Sequence, residues 1–154
     1  MARRAVQPEE IFQICNMMAM AGWLALLASP FLPKLADRVA ALAIPLLLAI
    51  AYAGLVLAFW SGAQGGFDTL PNVMLLFTRP EIALAGWIHY LAFDLLIGAW
   101  EVRTARAERI PFLAVVPCLA LTFLFGPAGF LAFTALRAAR AAIPTASHDA
   151  GVAQ

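Results

Sequence analysis

Four long apolar stretches separated by short polar segments dominate the chain, and each is long enough to cross a membrane as a helix. About 20 residues at 1.5 Å per residue span a hydrocarbon core ~30 Å thick. The pattern therefore predicts an all-α fold, an integral membrane bundle of four transmembrane helices. We place a polar flank at residues 1–10, the bundle at 11–136 with spans at about 11–32, 39–60, 80–101 and 111–136, and a polar tail, expected to be disordered, at 137–154.

The connection between the second and third spans is long enough to hold structure of its own. Either Asp68 or Thr69 can cap a helix that has Pro71 in its first turn. Apolar residues then recur at helical spacing as far as Phe77. We expect a short interfacial helix lying over the mouth between the spans, although an ordinary amphipathic connector fits the same pattern.

Composition supports a membrane protein and removes several functions. The chain is 64% hydrophobic and 12% charged, with a mean hydropathy of +0.87, whereas soluble domains are roughly 45–50% apolar and 25% charged. A net charge of +1 with scattered basic residues gives no basic face, so nucleic-acid binding is excluded. Cys15 and Cys118 lie in apolar runs and are interpreted as small buried hydrophobes. With only two histidines, one of them His148 in the tail, we expect no metal site and no cofactor.

The third span carries two ionisable residues, His89 and Asp94, near its centre. An ionisable side chain in hydrocarbon costs roughly 2.5–3.5 kcal/mol, so such residues are functional by default. Five residues separate the two by roughly 7.5 Å along a helix and by about 140° around it. They cannot form a tight dyad, but they can flank an elongated substrate or pair with different helices. We interpret them as a catalytic acid and base.

Helical spacing also divides the third span into two faces. The face with Tyr90 and Phe93 is predicted to line an interior site, with Trp87 on the side of Asp94. Asn16 in the first span either lies at the mouth of this site or cross-links helices. The opposite face is predicted to contact lipid, and it comprises Leu84, Ile88, Leu91, Leu95, Ala99 and Val102.

Two glutamates mark the ends of the third span. Glu81 is a further candidate substrate-binding residue, but Thr78 and Glu81 also match a capping box, which favours a structural role. Glu101 is interpreted as an interfacial charge.

Two prolines are expected to kink their helices. Pro45 removes one hydrogen bond within the second span. Pro127 frees the carbonyl of Phe123 in the fourth, and Thr122 is well placed to satisfy that carbonyl.

The distribution of basic residues does not orient the bundle. Four spans put both termini on one side, and five Lys or Arg residues then lie at each end. The positive-inside rule therefore gives a tie, and the orientation is left open.

The run Glu-Ile-Ala-Leu-Ala-Gly-Trp-Ile-His-Tyr-Leu-Ala-Phe-Asp-Leu at 81–95 resembles the signature of the abscisic-acid-deficient-four family, also called the neoxanthin synthase family. The run Thr-Phe-Leu-Phe-Gly-Pro-Ala-Gly-Phe-Leu at 122–131 is similar to that family's last-span pattern. The resemblance implies a carotenoid-related role. In plants the family is tied to conversion of violaxanthin to neoxanthin, an isomerisation that opens an epoxide to an allene without a redox cofactor.

On this resemblance we expect a carotenoid- or retinoid-modifying isomerase in which Asp94 donates a proton and His89 accepts one. The expected partners are a long apolar polyene and membrane lipid, with a homo-oligomer among the alternatives. A non-catalytic carotenoid-binding or assembly subunit is a rival interpretation, and a small proton-coupled transporter would also use a buried carboxylate. From the short tails we expect no plastid-targeting segment. We expect a multi-pass protein of a bacterial inner (cytoplasmic) membrane.

Overall fold

A computed structural model describes residues 7–142, and all of the regular structure in that part of the chain is helical, as predicted. A π-helical turn, Val39–Ala43, joins the second helix to the third, and a 3₁₀ turn, Trp60–Gly62, follows the third. The α-helices are α1 (Pro8–Leu27), α2 (Pro33–Arg38), α3 (Ile44–Phe59), α4 (Leu70–Leu76), α5 (Pro80–Ala107), α6 (Phe112–Phe125) and α7 (Pro127–Ala141).

Three helical stretches in the described residues are long and apolar enough to cross a membrane: Pro8–Leu27, Pro33–Gly62 and Pro80–Ala107. Their ends differ from the predicted ones. The polar segment 34–38, which separates the first two predicted spans, is already helical in α2, and α5 continues six residues beyond 101. The apolar pattern marks only the part of each helix that lies in hydrocarbon, because long charged side chains at helix ends extend into water without ending the helix.

The predicted fourth span is instead two shorter helices that reverse direction. Helix α6 has 14 residues, which is about 21 Å at 1.5 Å per residue and short of a ~30 Å core. It ends at Gly126, whose φ of +43° and ψ of −93° turn the chain. Helix α7 then returns: Arg137 Nε donates to Glu108 Oε2 at 2.8 Å, just beyond the end of α5. We call this pair the α6–α7 hairpin.

Helix α5 is the central element. Helix α1 runs in the same direction, since Asn16 meets Trp87 whereas Trp23 packs against Gly98. Helix α3 runs the opposite way, and at its end Phe59 accepts a hydrogen bond from Arg79. The α6–α7 hairpin covers a third side.

The predicted lipid face of α5 is wrong. All six residues assigned to lipid are buried, and Ile88 and Leu95 have no exposed surface. Phe93, assigned to the interior, is 54% exposed. The aliphatic face packs against α1 and α3, where Leu95 lies against Gly22. Lipid tails and neighbouring helices are equally apolar, so hydrophobicity alone could not tell them apart.

Local details of the connections follow elementary helix chemistry. Thr69 caps α4 by accepting a hydrogen bond from the Asn72 backbone N–H at 3.3 Å, with Pro71 in the first turn, as predicted. The position of α4 at a membrane interface stays a prediction. Pro45 lies in the first turn of α3, directly after the π-helical turn, a wider turn of the kind found where the regular hydrogen-bond ladder is interrupted.

Ion pairs hold the end of the bundle at which α5 finishes. Arg106 pairs with Asp37 of α2 at 2.8 Å. The hydrogen-bonded guanidinium of Arg137 lowers the pKa of Glu108. The first residues of the predicted polar tail belong to α7, which ends at Ala141. Residues 1–6 of the predicted flank and 143–154 of the tail, with His148, lie outside the described residues.

Candidate functional site

Asp94 is a buried carboxyl group midway along α5, at the tip of the α6–α7 hairpin. Its relative exposure is 8%, and its Oδ2 atom has no hydrogen-bond partner among residues 7–142. A Cβ atom at Gly126 would lie 2.6 Å from Asp94 Oδ1, so the glycine admits the carboxyl group to the turn between α6 and α7. The carboxyl group therefore faces the N-terminal end of α7, where the helix dipole favours negative charge.

Glu101 is a second carboxyl group on the same side of α5. It has no exposed surface, and Thr122 of α6 donates a hydrogen bond of 2.8 Å to its Oε1 atom. Its Oε2 atom lacks a partner within the described part of the chain, the same condition as Asp94 Oδ2. The interpretation of Glu101 as an interfacial charge is wrong. The missed signal is its spacing: seven residues after Asp94 is two helical turns, which puts both carboxyl groups on one face.

The carbonyl that Pro127 was expected to free is met by a different group from the one predicted. The Tyr90 hydroxyl lies 3.5 Å from the Phe123 carbonyl oxygen and donates toward it. The hydroxyl of Thr122, predicted for this role, is used by Glu101 instead. Tyr90 also lies near Asp94, one turn away on the same face of α5.

A groove of about 260 Å³, here called the Tyr90 groove, lies between α1, α5 and α6. The structure brings three of the predicted substrate-binding residues together in it: Asn16, Trp87 and Tyr90. Asn16 Oδ1 accepts a hydrogen bond from Trp87 Nε1 at 3.1 Å, so Asn16 both cross-links helices and lines the groove. Phe123 supplies a further aromatic wall.

A second groove, of about 300 Å³, is here called the His89 groove. It is lined by aromatic side chains from α3 and from the connection around α4, including Tyr52, Trp60 and Phe77. The His89 ring lies 5.7 Å from that of Tyr52 and stacks on Phe93 at 4.5 Å, centroid to centroid. Phe93 lines neither groove.

The two predicted catalytic residues therefore do not share a cavity. His89 opens toward α3, whereas Asp94 faces the hairpin on another side of the continuous helix α5. The separation around the helix is as predicted. Of the two predicted arrangements, the structure has the one in which His89 and Asp94 face different helices, and a catalytic role for either residue stays a prediction.

Glu81 lies at the start of α5 and lines neither groove. The predicted capping box does not form, because Arg79 is the N-cap residue and the Thr78 hydroxyl donates to the Leu75 carbonyl at 2.6 Å. Glu81 accepts a hydrogen bond from Arg79 Nε at 3.2 Å instead. Since Arg79 also donates to the Phe59 carbonyl, Glu81 helps to join α5 to α3.

Fold and site together define a small helical membrane protein whose buried acids lie against a reversed pair of helices. Among the described residues, no group of three or more His, Cys, Asp or Glu side chains could hold a metal ion.

The model of the ABA DEFICIENT 4-like family matches residues 10–133, and the chain belongs to this family. The match runs from α1 into α7 and includes both buried carboxyl groups. Membership implies a carotenoid- or xanthophyll-related membrane protein. No curated protein and no solved structure matches the chain.

Proposed function

We propose that the protein isomerises a long carotenoid- or retinoid-type polyene by acid–base chemistry, with Asp94 exchanging the proton. The observation that supports this most is the position of Asp94, a buried carboxyl group with an unpartnered oxygen, within reach of a tyrosine that lines an aromatic groove. Asp94 itself lines neither groove, and Tyr90, one turn away on α5, is the residue that connects the acid group with the apolar surface. No redox cofactor is part of the proposal.

The proton count of such a reaction is neutral. For an epoxide that opens to an allene, the protonated Asp94 carboxyl group gives its proton to the epoxide oxygen as the C–O bond breaks. The Asp94 carboxylate then removes one proton from the polyene carbon as the new C=C bond forms. The substrate is thereby rearranged without net oxidation, and Asp94 returns to its starting state.

The predicted base, His89, has no part in this step, because it opens to the other groove. The Tyr90 groove is the better candidate for the reacting end of the polyene, since Tyr90 lines it and lies one turn from Asp94 on α5. In that arrangement Tyr90 orients the substrate oxygen or hands on its proton, while Asn16 and Trp87 hold the ring end.

A non-catalytic carotenoid-binding role is the second candidate, and the His89 groove favours it. That groove is rich in aromatic side chains, and it lies on the α3 side of α5, away from the hairpin that both buried carboxyl groups face. A polyene end held there would be bound without being exposed to either buried acid.

Expression in a carotenoid-producing host, followed by pigment analysis, tests the proposal. Asp94→Asn should lower conversion by about 10²–10⁴-fold, the usual contribution of a general acid or base. His89→Ala should leave most of the conversion intact because it lines the other groove. Asp37→Asn is the matched control, since it neutralises an exposed aspartate that forms only a surface ion pair.

Each result separates the candidates. Unchanged conversion by the folded Asp94→Asn protein would refute the acid–base role. Loss of conversion in His89→Ala would move the reaction to the His89 groove. Pigment that copurifies unaltered with the wild-type protein supports the binding role, and a host without bound or altered pigment contradicts both candidates.

The three long apolar helices support location of the protein in a membrane. The family is plant-associated, so a bacterial inner membrane stays a prediction. Fractionation of cells from the native source tests it.

A further inference from the structure

Asp94 and Glu101 hold the two buried side-chain nitrogen or oxygen atoms without a hydrogen-bond partner in the described part of the chain. Both carboxyl groups are more than nine-tenths buried, and both face the α6–α7 hairpin. We propose that they form one proton-exchanging pair, in which Glu101 is the reservoir that holds the proton and Asp94 is the group that passes it on.

Among residues 7–142, no basic side chain forms an ion pair with either carboxyl group. The three ion pairs among the described residues involve Arg79, Arg106 and Arg137, and each of these pairs with another acid. Two uncompensated carboxylates in hydrocarbon would each carry a large desolvation cost. Holding one proton removes one of the two charges.

The surroundings of the pair decide which member holds the proton. Asp94 faces the N-terminus of α7, which stabilises a negative charge. Glu101 lies two turns away, fully enclosed, and receives one hydrogen bond from the neutral Thr122 hydroxyl. Glu101 is therefore the member that keeps the proton at rest.

Few other titratable groups face the pair. On α6 the Cys118 thiol lies near Glu101, and on α5 the Tyr90 hydroxyl lies near Asp94. Helix α1 contributes uncharged side chains at this level, Trp23 and Leu26 against Gly98. On α7, Arg137 is engaged by Glu108 outside the pair.

The inference deepens the proposed function and rests on it in one respect, the delivery of the proton to a polyene. Seven residues of helix separate the two carboxyl groups by about 10.5 Å along α5, so the proposal includes water between them as the proton carrier. Before the reaction Asp94 takes up the Glu101 proton, and Asp94 then gives it to the epoxide oxygen. The proton that Asp94 afterwards removes from the polyene carbon returns to Glu101. Glu101 is thus a positioning residue. It holds the proton that Asp94 transfers, and it does not contact the polyene.

Infrared difference spectroscopy on the purified full chain in lipid vesicles tests the pair without any pigment. Shifting the pH should reveal the carbonyl stretch of a buried, protonated carboxylic acid. Glu101→Gln should remove this band, and Thr122→Val should shift its frequency, because the hydrogen bond is lost. Thr122→Ser keeps the hydroxyl and should restore the wild-type frequency.

Coupling is measured in Asp94→Asn. Removing the negative neighbour should let Glu101 ionise more easily, so the band should disappear at a lower pH than in the wild type. Glu108→Gln, a substitution of an exposed glutamate, is the matched control and should leave the band and its midpoint unchanged.

A band that persists in Glu101→Gln, or one whose frequency is unchanged in Thr122→Val, would overturn the reservoir role. An unchanged midpoint in Asp94→Asn would show two independent acids and refute the pair. If Glu101→Gln fails to fold, the other two variants still decide. Because no polyene is present, a negative result here is distinct from a failure of the isomerase proposal.

Discussion

Gly126 is the residue on which the geometry of the site depends. Its φ is positive, and the space beside it is occupied by the Asp94 carboxyl group. Gly126→Ala should lower the stability of the folded protein by about 1–3 kcal/mol, the usual cost of a non-glycine residue in a sparsely populated conformation. The added Cβ should also displace Asp94 and reduce conversion. Thermal unfolding in detergent measures the first effect and pigment analysis the second.

Gly54→Ala is the matched control for Gly126→Ala. Gly54 lies within α3, and nothing approaches a Cβ atom at that position within 4 Å. Alanine is there expected to be neutral, or stabilising by roughly 0.5–1 kcal/mol, as usual within a helix. Equal stability losses in the two variants would contradict the special role of Gly126.

Individual polar residues could be selected from the sequence, but their partners could not. Asp94 stood out because a carboxyl group in an apolar run is costly. Glu101 did not, because basic residues follow it closely and its cover, the hairpin, comes from a segment that was predicted to cross the membrane. In the structure the Tyr90 hydroxyl donates to the carbonyl of Phe123 and the Thr122 hydroxyl donates to Glu101. Neither of these partners was predicted.

At the scale of elements, the α6–α7 hairpin is the main departure from the four-span prediction. A continuous apolar run from 111 to 136 has the length of a span, and Gly126 and Pro127 were expected only to kink it. The reversal depends on close packing that composition does not reveal: a side chain at Gly129 would collide with the backbone and hydroxyl of Thr122. Local chemistry was enough to predict that the apolar stretches are helical and that Thr69 caps α4. It was not enough to predict the direction of α7.

Crosslinking distinguishes the hairpin from a fourth span. After Cys15 and Cys118 are replaced by alanine, cysteines at 108 and 137 should be joined by a short bismaleimide, because Glu108 and Arg137 are in contact. Cysteines at 79 and 137 form the control pair. Residue 79 precedes the start of α5, and residue 137 of α7 lies beside the end of α5. The 28 residues of α5 separate these two ends by about 42 Å at 1.5 Å per residue.

Mass spectrometry of the crosslinked peptides gives the answer. A hairpin predicts the 108–137 product alone. A fourth span predicts the reverse, since it would carry residue 137 to the end of the bundle where α5 begins.

For the whole molecule, three spans and a hairpin distribute the basic residues unequally between the two ends of the bundle, whereas four spans put five at each end. Arg79 lies at the end where α5 begins, and α1, which Arg3 and Arg4 precede in the sequence, begins at the same end. The ion pairs of Arg106 and Arg137 place α2 and the end of α7 at the other. That end has seven of the ten basic residues: Lys34, Arg38, Arg103, Arg106, Arg109, Arg137 and Arg140.

The positive-inside rule now orients the protein with these seven residues in the cytoplasm. A C-terminal green fluorescent protein fusion in a bacterial host should therefore fluoresce, whereas an N-terminal one should not. Alkaline phosphatase fusions should give the opposite pattern. Matching signals from both termini would contradict three spans.

Because the α6–α7 hairpin reaches only to the depth of Asp94, the described part of the molecule is wedge-shaped. Five helices fill the half of the membrane on the α7 side, and three fill the other half. Lipid tails of that second leaflet must occupy the space beneath the hairpin tip, and the Tyr90 groove lies on the same side of Asp94. On the proposed function, a long polyene dissolved in that leaflet would enter the Tyr90 groove laterally, with only its reacting end enclosed by protein and its remainder left among the lipid chains.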